Sequence, residues 1–335
     1  MLTRKHLTLI GLLIVPATAI DVPRSNTPYQ LKYSQRFTAP SLPQDNILTK
    51  ERIALGERLF NDTILSIDGT VSCAGCHVSD FAFADDRRFS RGFEGRLGKR
   101  NSMPLFNLAW KSHFFWDGRE NRLRDQVLVP IQDHQEMAAN LNQVIFRLNR
   151  RGGYLREFEN TYGQGSVTTQ KLSLALENYL LSLTSDQSKY DLVAEKKENF
   201  TPEETQGQKL FFQKSSLGGA GCFQCHGGSQ FSDFKFRNNG LEHSEDLGRY
   251  RVTGKNSDKG LFQTPSLRNI ELTAPYMHDG RFETLEEVIA HYNGPLHKHP
   301  TVDKLLPSRG LNLSPANQKA LIAFLKTLTD PRYNE

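Results

Sequence analysis

Cys73-Ala74-Gly75-Cys76-His77 decides how the rest of the chain is read. The pattern returns once, as Cys222-Phe223-Gln224-Cys225-His226, and the two units use all 4 cysteines of the 335-residue sequence. C-x-x-C-H is the attachment pattern of c-type haem. Two thiols join the haem vinyl groups, and the adjacent imidazole reaches the iron from the proximal side. Two covalently bound haem c groups are therefore expected, held by Cys73, Cys76 and His77 and by Cys222, Cys225 and His226. A structural zinc site does not need His directly after the second Cys, least of all twice. A redox dithiol lacks the trailing His, and neighbouring C-x-x-C pairs make poor long-loop disulfides.

The length gives room for two ordinary domains, and an apolar fraction of 37% with 24% charged residues is that of a soluble globular chain. The net charge is +5, and no Lys/Arg block stands out. Nucleic acid is not an expected partner, whereas a mildly basic surface suits an acidic redox protein. Residues 1–19 read as a signal peptide: Arg4, Lys5 and His6 lead an apolar run from Leu7 to Val15, and Ala17-Thr18-Ala19 resembles a cleavage site. The run is too short to span a bilayer and no other stretch is long and apolar enough, so no stable membrane insertion is expected. Export to the periplasm, with cleavage near Ala19, agrees with haem attachment. Residues 20–45, rich in Pro, Ser and Gln, read as an extended N-terminal arm.

Beyond the arm the layout repeats. Gly56-Glu57-Arg58-Leu59-Phe60 precedes the first haem unit and Gly207-Gln208-Lys209-Leu210-Phe211 the second. Pro104-Leu105-Phe106-Asn107 and Trp116-Asp117-Gly118-Arg119 follow the first; Pro265-Ser266-Leu267-Arg268-Asn269 and His278-Asp279-Gly280-Arg281 follow the second. Amphipathic stretches from Ala175 and from Ala320 close the two halves. Self-similarity at long spacing predicts two related domains. The expected fold is mostly α, two cytochrome c-like haem domains in tandem, 46–196 and 197–335. Thr49 is the expected start of the first helix, although Arg52 stands where a capping box has Glu or Gln.

Aligning the Asp-Gly-Arg units carries Leu123 onto Leu285, Asp125 onto Glu287 and Pro130 onto Tyr292. Tyr292 can then reach the second iron from the distal side, while Pro130 has no side-chain donor. One closed and one open haem are expected, and an open position is what substrate binding at iron requires. Met277 is the alternative ligand for the second iron, and His291 a lesser one. His291, His297 and His299 otherwise read as surface histidines near a loop.

The stretches Phe262 to Asn269, Thr273 to Arg281 and Phe115 to Arg119 give the chain its closest family likeness. Over residues 45–330 it resembles the bacterial di-haem cytochrome c peroxidases, and within them the MauG-type branch. The resemblance implies that Trp116 is an electron-transfer bridge between the haems. Gln126 and Glu136 become polar residues over the peroxide-binding haem, with Glu136 moving a proton between the peroxide oxygens. It also implies a calcium site from Asn101, Thr273 and Pro275. Hydrogen peroxide as substrate, a small soluble cytochrome c or cupredoxin as donor, and a possible homodimer follow in the same way. A removable His after the first haem unit is absent, with Phe93 about where it would sit, so the first haem is expected to be open without reductive activation. Tyr292 stands where the usual peroxidase has Met, as in the MauG-type branch. Bland readings stand beside these: Trp116 as a core aromatic, Glu136 as a solvated carboxylate at a helix start, His134 sharing its role. A MauG-type oxidase that modifies a partner protein and a non-catalytic di-haem electron carrier are the alternative functions.

Overall fold

Gly56 and Gly207 set how each half is closed. A Cβ on Gly56 would lie 2.1 Å from the Ala175 carbonyl oxygen, and one on Gly207 would lie 1.9 Å from that of Ala320. Only glycine lets the two backbones approach this closely. The computed structural model describes residues 26–242 and 245–333, so the expected signal peptide lies outside the described residues. Its helices are α1 (Lys50–Asn61), α2 (Leu123–Gln126), α3 (Leu128–Gln132), α4 (Leu141–Arg150), α5 (Gly152–Tyr162), α6 (Thr169–Ser182), α7 (Lys189–Ala194), α8 (Pro202–Phe212), α9 (Tyr250–Thr253), α10 (Leu285–Asn293) and α11 (Pro315–Lys326). One short antiparallel pair, β1 (Phe236–Arg237) and β2 (Phe262–Gln263), joins Phe236 to Gln263 and Arg237 to Phe262. The fold is mostly helical, as expected.

The glycines place α1 across α6 and α8 across α11. Each of these four helices starts at a hydroxyl cap: Thr49, Thr168, Thr201 and Ser314. Thr201 forms a full capping box with Glu204, whereas Thr49 only accepts from the Arg52 N–H. Two apolar cores result. Leu59, Phe60, Leu172, Leu176 and Leu180 belong to the first; Leu210, Phe211, Leu321, Phe324 and Leu328 belong to the second. Tyr190 of α7 packs on the second core.

The repeat extends to single hydrogen bonds. Asn107 and Asn269 both adopt left-handed backbone (φ 53° and 56°), each opening a 3-10 turn. The Asn107 N–H donates to the Leu183 carbonyl just after α6, and the Asn269 N–H to the Leu328 carbonyl just after α11. Their side chains meet on one residue: Asn107 Nδ2 donates to the Ser185 carbonyl (2.9 Å) and Asn269 Nδ2 to Ser185 Oγ (3.1 Å). The Asp-Gly-Arg turns match as well, closed by the bridges Phe114–Glu120 and Tyr276–Phe282.

The arm is extended but packed. Leu31 and Phe37 are buried, the Trp110 indole N–H donates to the Thr38 carbonyl (2.7 Å), and the Arg268 guanidinium lies 4.6 Å from the Phe37 ring. It therefore touches residues of both halves. Arg268 and Asp191 form a bidentate ion pair at 2.7 and 2.9 Å, with side chains 1% and 2% exposed.

Pro130 explains where the halves diverge. α10 runs unbroken from Leu285 through Tyr292, but the matching segment is split into α2 and α3. A proline inside a helix lacks its N–H and collides with the carbonyl four residues back, which here is Gln126. The helix breaks there and leaves Gln126 at the end of α2.

Candidate haem sites and the distal cavity

Each C-x-x-C-H unit is one 3-10 turn, Cys73–Gly75 and Cys222–Gln224. The turn carries the His N–H back to the carbonyl of the first Cys, at 3.0 Å for His77 and 2.8 Å for His226. His77 Nδ1 lies 2.8 Å from the Phe83 carbonyl, and His226 Nδ1 lies 3.2 Å from that of Phe231. Only an N–H bonds a carbonyl, so the proton sits on Nδ1, the tautomer in which Nε2 carries the lone pair. Burial lowers both imidazoles, His226 to about 4, which favours the neutral, ligating form.

A cavity of about 930 Å³ opens beside the first unit. Its lining includes Cys73, Cys76 and His77, together with Trp116, Gln126, Pro130 and Glu136. The volume, the two thiols and the oriented imidazole fit a haem. Burial pushes the thiols of Cys73 and Cys76 up, to about 12 and about 11, and neither forms a disulfide among the described residues. Lys111 also lines this cavity. Burial alone lowers its ammonium to about 8, so among the described residues the cation lacks the carboxylate that a haem propionate would supply. The second unit has the same local geometry. Among the described residues no three His, Cys, Asp or Glu side chains group as a metal site.

Glu136 sits in a turn, not at a helix start: its N–H donates to the Asp133 carbonyl, and α4 begins later, capped by Asn140. Its own carbonyl accepts the Phe93 N–H at 2.6 Å, and a Cβ on Gly92 would lie 2.4 Å from that oxygen. The loop holding Phe93 thus fixes the Glu136 backbone. Burial raises the Glu136 carboxyl to about 7; Asp133 adds to this and Arg119 opposes it. Glu136 is close enough to act on both Cys73 and Cys76, so it belongs beside the first unit and is not a remote solvated carboxylate. His134 is exposed and does not line the cavity.

Trp116 is buried in the seam between the halves. Its Nε1 donates to the Asn101 carbonyl (2.9 Å), and its own carbonyl accepts the Gln263 N–H (2.7 Å). Asn101 in turn donates its N–H to the His278 carbonyl and Nδ2 to the Arg87 carbonyl. Asn101 Oδ1 accepts no hydrogen bond among the described residues, and Thr273 and Pro275 are buried.

Tyr292 and Met277 converge. Asn239 Nδ2 donates to Met277 Sδ (3.2 Å) and to Tyr292 Oη (3.3 Å). Tyr292 is close enough to feel Cys222 and Cys225, and burial pushes its hydroxyl up to about 12. Met277 and its counterpart Phe115 share a strained left-handed backbone, φ 75° and 64°. His291 is half-buried and its Nε2 lies 3.1 Å from the Asn239 carbonyl, so it is not a surface residue.

The family model for di-haem cytochrome c peroxidase matches residues 50–199. The MauG methylamine utilization protein of Methylophilus methylotrophus is 32% identical over 331 residues, covering 98% of this chain and 96% of that protein. The chain belongs to the di-haem cytochrome c peroxidase family. Cytochrome c551 peroxidase of Nitrosomonas europaea is 31% identical over 281 residues, 82% of this chain and 79% of that protein. The crystal structure of a MauG-like protein associated with microbial copper homeostasis superposes with a TM-score of 0.82 at 30% identity, covering 91% of this chain and 98% of that one. Membership accounts for the two haem c groups and a peroxidase-type redox function, and the family holds both MauG and peroxidase members.

Sequence reasoning missed the charges around the seam. Arg100 bonds Asp117 and Asp246, both at 2.6 Å, so one guanidinium ties the halves together. It also missed His278, buried in the cavity wall, although the match of His278-Asp279-Gly280 to Trp116-Asp117-Gly118 contains it.

Proposed function

We propose that the protein is a periplasmic peroxidase that reduces hydrogen peroxide to water at the first haem, with electrons entering at the second. The observation that carries this reading is Glu136: a carboxyl held near neutrality, on the wall of a cavity whose other walls are His77, Gln126 and Trp116. Haem supplies the electron transfer to and from oxygen when bound. The overall change is H2O2 + 2 e⁻ + 2 H⁺ → 2 H2O. Glu136 takes the proton from one peroxide oxygen and returns it to the other, which its raised value permits near pH 7. Gln126, at the broken end of α2, orients the peroxide by its amide. Pro130 supplies no ligand and keeps that side open. Trp116 bridges the halves through Asn101 and Gln263. Tyr292 would be the residue that holds the second iron opposite His226, with Met277 as the alternative. Asn101, Thr273 and Pro275 hold calcium at the seam. The donor is a small soluble cytochrome c or cupredoxin.

A second reading, a MauG-type oxidase acting on a partner protein, is favoured by Tyr292 beside Cys222 and Cys225 and by the 32% identity to MauG. Turnover of peroxide with reduced cytochrome c separates the two. Sustained donor oxidation supports the peroxidase, and consumption of one equivalent of peroxide without turnover supports the oxidase.

A further inference from the structure

Two carboxylates hold equivalent places behind the haem units, and only one has an oxygen left without a partner among the described residues. Asp85 lies two residues beyond Phe83, and Asp233 two beyond Phe231; these are the phenylalanines whose carbonyls hold His77 and His226. Each Asp accepts the N–H two residues on, Arg87 for Asp85 and Lys235 for Asp233, both at 3.0 Å. There the likeness ends. Asp233 Oδ2 is bonded by Arg237 Nη2 at 2.5 Å, and Arg237 also grips Asp303. The Asp85 side chain is 0% exposed, yet its Oδ2 has no partner among the described residues. The nearest cation, Arg87 Nε, stands 3.5 Å from Oδ1 on a side chain that is 47% exposed.

Behind the second unit the buried Arg268 guanidinium donates to the Ser229 carbonyl (2.7 Å) and lies 5.7 Å from the Phe231 ring. The same alignment that pairs Asn107 with Asn269 puts Phe106 in its place in the first half. Behind the second unit Arg237 bonds Asp233 closely and shares itself with Asp303, whereas behind the first Asp85 keeps one oxygen unbonded and meets only the half-exposed Arg87 at 3.5 Å.

We propose that Asp85 is a fixed charge that stabilises the oxidised form of the first haem relative to the second. Oxidation adds positive charge at the iron, and a buried carboxylate nearby favours it with little screening. Charge and hydrogen bonding around the ligands are established levers on haem potential. Asp85 is placed to act on this haem because it lies, fully buried, two residues beyond the Phe83 carbonyl that holds His77 Nδ1 at 2.8 Å. The inference rests on the two-haem peroxidase reading and adds what sets the order of the two potentials.

Spectroelectrochemical titration of the holoprotein tests it, with the two midpoints assigned by their electron paramagnetic resonance signals. Asp85→Asn shifts the first haem at least tenfold toward reduced iron at a fixed poise, equivalent to about 59 mV for one electron. The second midpoint stays in place. Arg87→Gln, at a half-exposed site that folding tolerates, moves the first midpoint the opposite way by less. Asp233→Asn, losing a charge already paired, moves the second midpoint less than Asp85→Asn moves the first. An unchanged first midpoint in Asp85→Asn, or Arg87→Gln moving it upward, overturns the proposal. Where Asp85→Asn fails to hold haem, the sign of the Arg87→Gln shift decides. The titration reads both irons whether or not peroxide reacts, so failure of the peroxidase reading registers separately.

Discussion

Trp116 and His278 are equivalent residues of the two halves, and each is held by the opposite half. The Trp116 carbonyl accepts the Gln263 N–H at 2.7 Å, and the His278 carbonyl accepts the Asn101 N–H at 2.9 Å. The alignment that pairs Trp116 with His278 also pairs Asn101 with Gln263, so the seam is a reciprocal exchange of one bond. Trp116 is thus more than a core aromatic: its ring borders the first cavity while its backbone belongs to the contact with the second half.

Trp116→Phe keeps the backbone bond and removes the indole bond to Asn101, costing about 1 kcal/mol of stability. Peroxide still reacts at the first haem, but transfer between the haems slows at least tenfold. Stopped-flow spectroscopy of the half-reduced protein measures this.

Glu136 gives a pH signature. Its carboxyl is raised by burial to about 7, so as the proton acceptor from peroxide it becomes competent as pH rises through that value. The peroxide reaction accelerates from pH 6 to 8 in the native protein, and Glu136→Gln is at least a hundredfold slower and loses that step. The sign for stability is opposite. A carboxyl raised above its unfolded value contributes stability below the unfolded value and loses it as pH climbs through the folded one. Thermal melts show Glu136→Gln gaining on the native protein between pH 5 and 8.

Tyr292→Phe changes the second haem and Met277→Leu does not. Asn239 bonds both side chains, but Tyr292 offers an ionisable oxygen and lies within electrostatic reach of Cys222 and Cys225. The predicted result is a changed low-spin signal and a raised potential in Tyr292→Phe, because an anionic oxygen ligand that favoured ferric iron is gone.

Gly207→Ala forces apart α8 and α11, since the new Cβ would stand 1.9 Å from the Ala320 carbonyl oxygen. Overpacking of this kind costs about 1–3 kcal/mol, read as a lowered midpoint in denaturant. Gly56→Ala does the same to α1 and α6.

The haem units, the repeated layout and the broken helix at Pro130 were legible because each rests on a residue type with one strong chemical meaning. Two C-x-x-C-H units name their cofactor, Gly56 and Gly207 mark the same crossing, and Pro130 against Tyr292 marks the broken helix. Charge pairing was not legible. Asp85 and Asp233 look alike in sequence and differ only in whether an arginine from the following strand or loop reaches them. Glu136 was named from resemblance, but its raised proton affinity comes from burial by loops whose packing no local pattern encodes. The arm was read as extended, but its contacts with both halves depend on Trp110 and Arg268, which are distant in sequence.

The most direct test of the central claim is the electron paramagnetic resonance spectrum of the ferric protein as purified, before and after one equivalent of hydrogen peroxide. The structure predicts a high-spin signal from the His77 haem that peroxide removes without prior reduction, beside a low-spin signal from the His226 haem. Two low-spin signals unchanged by peroxide would contradict an open first site and leave an electron carrier.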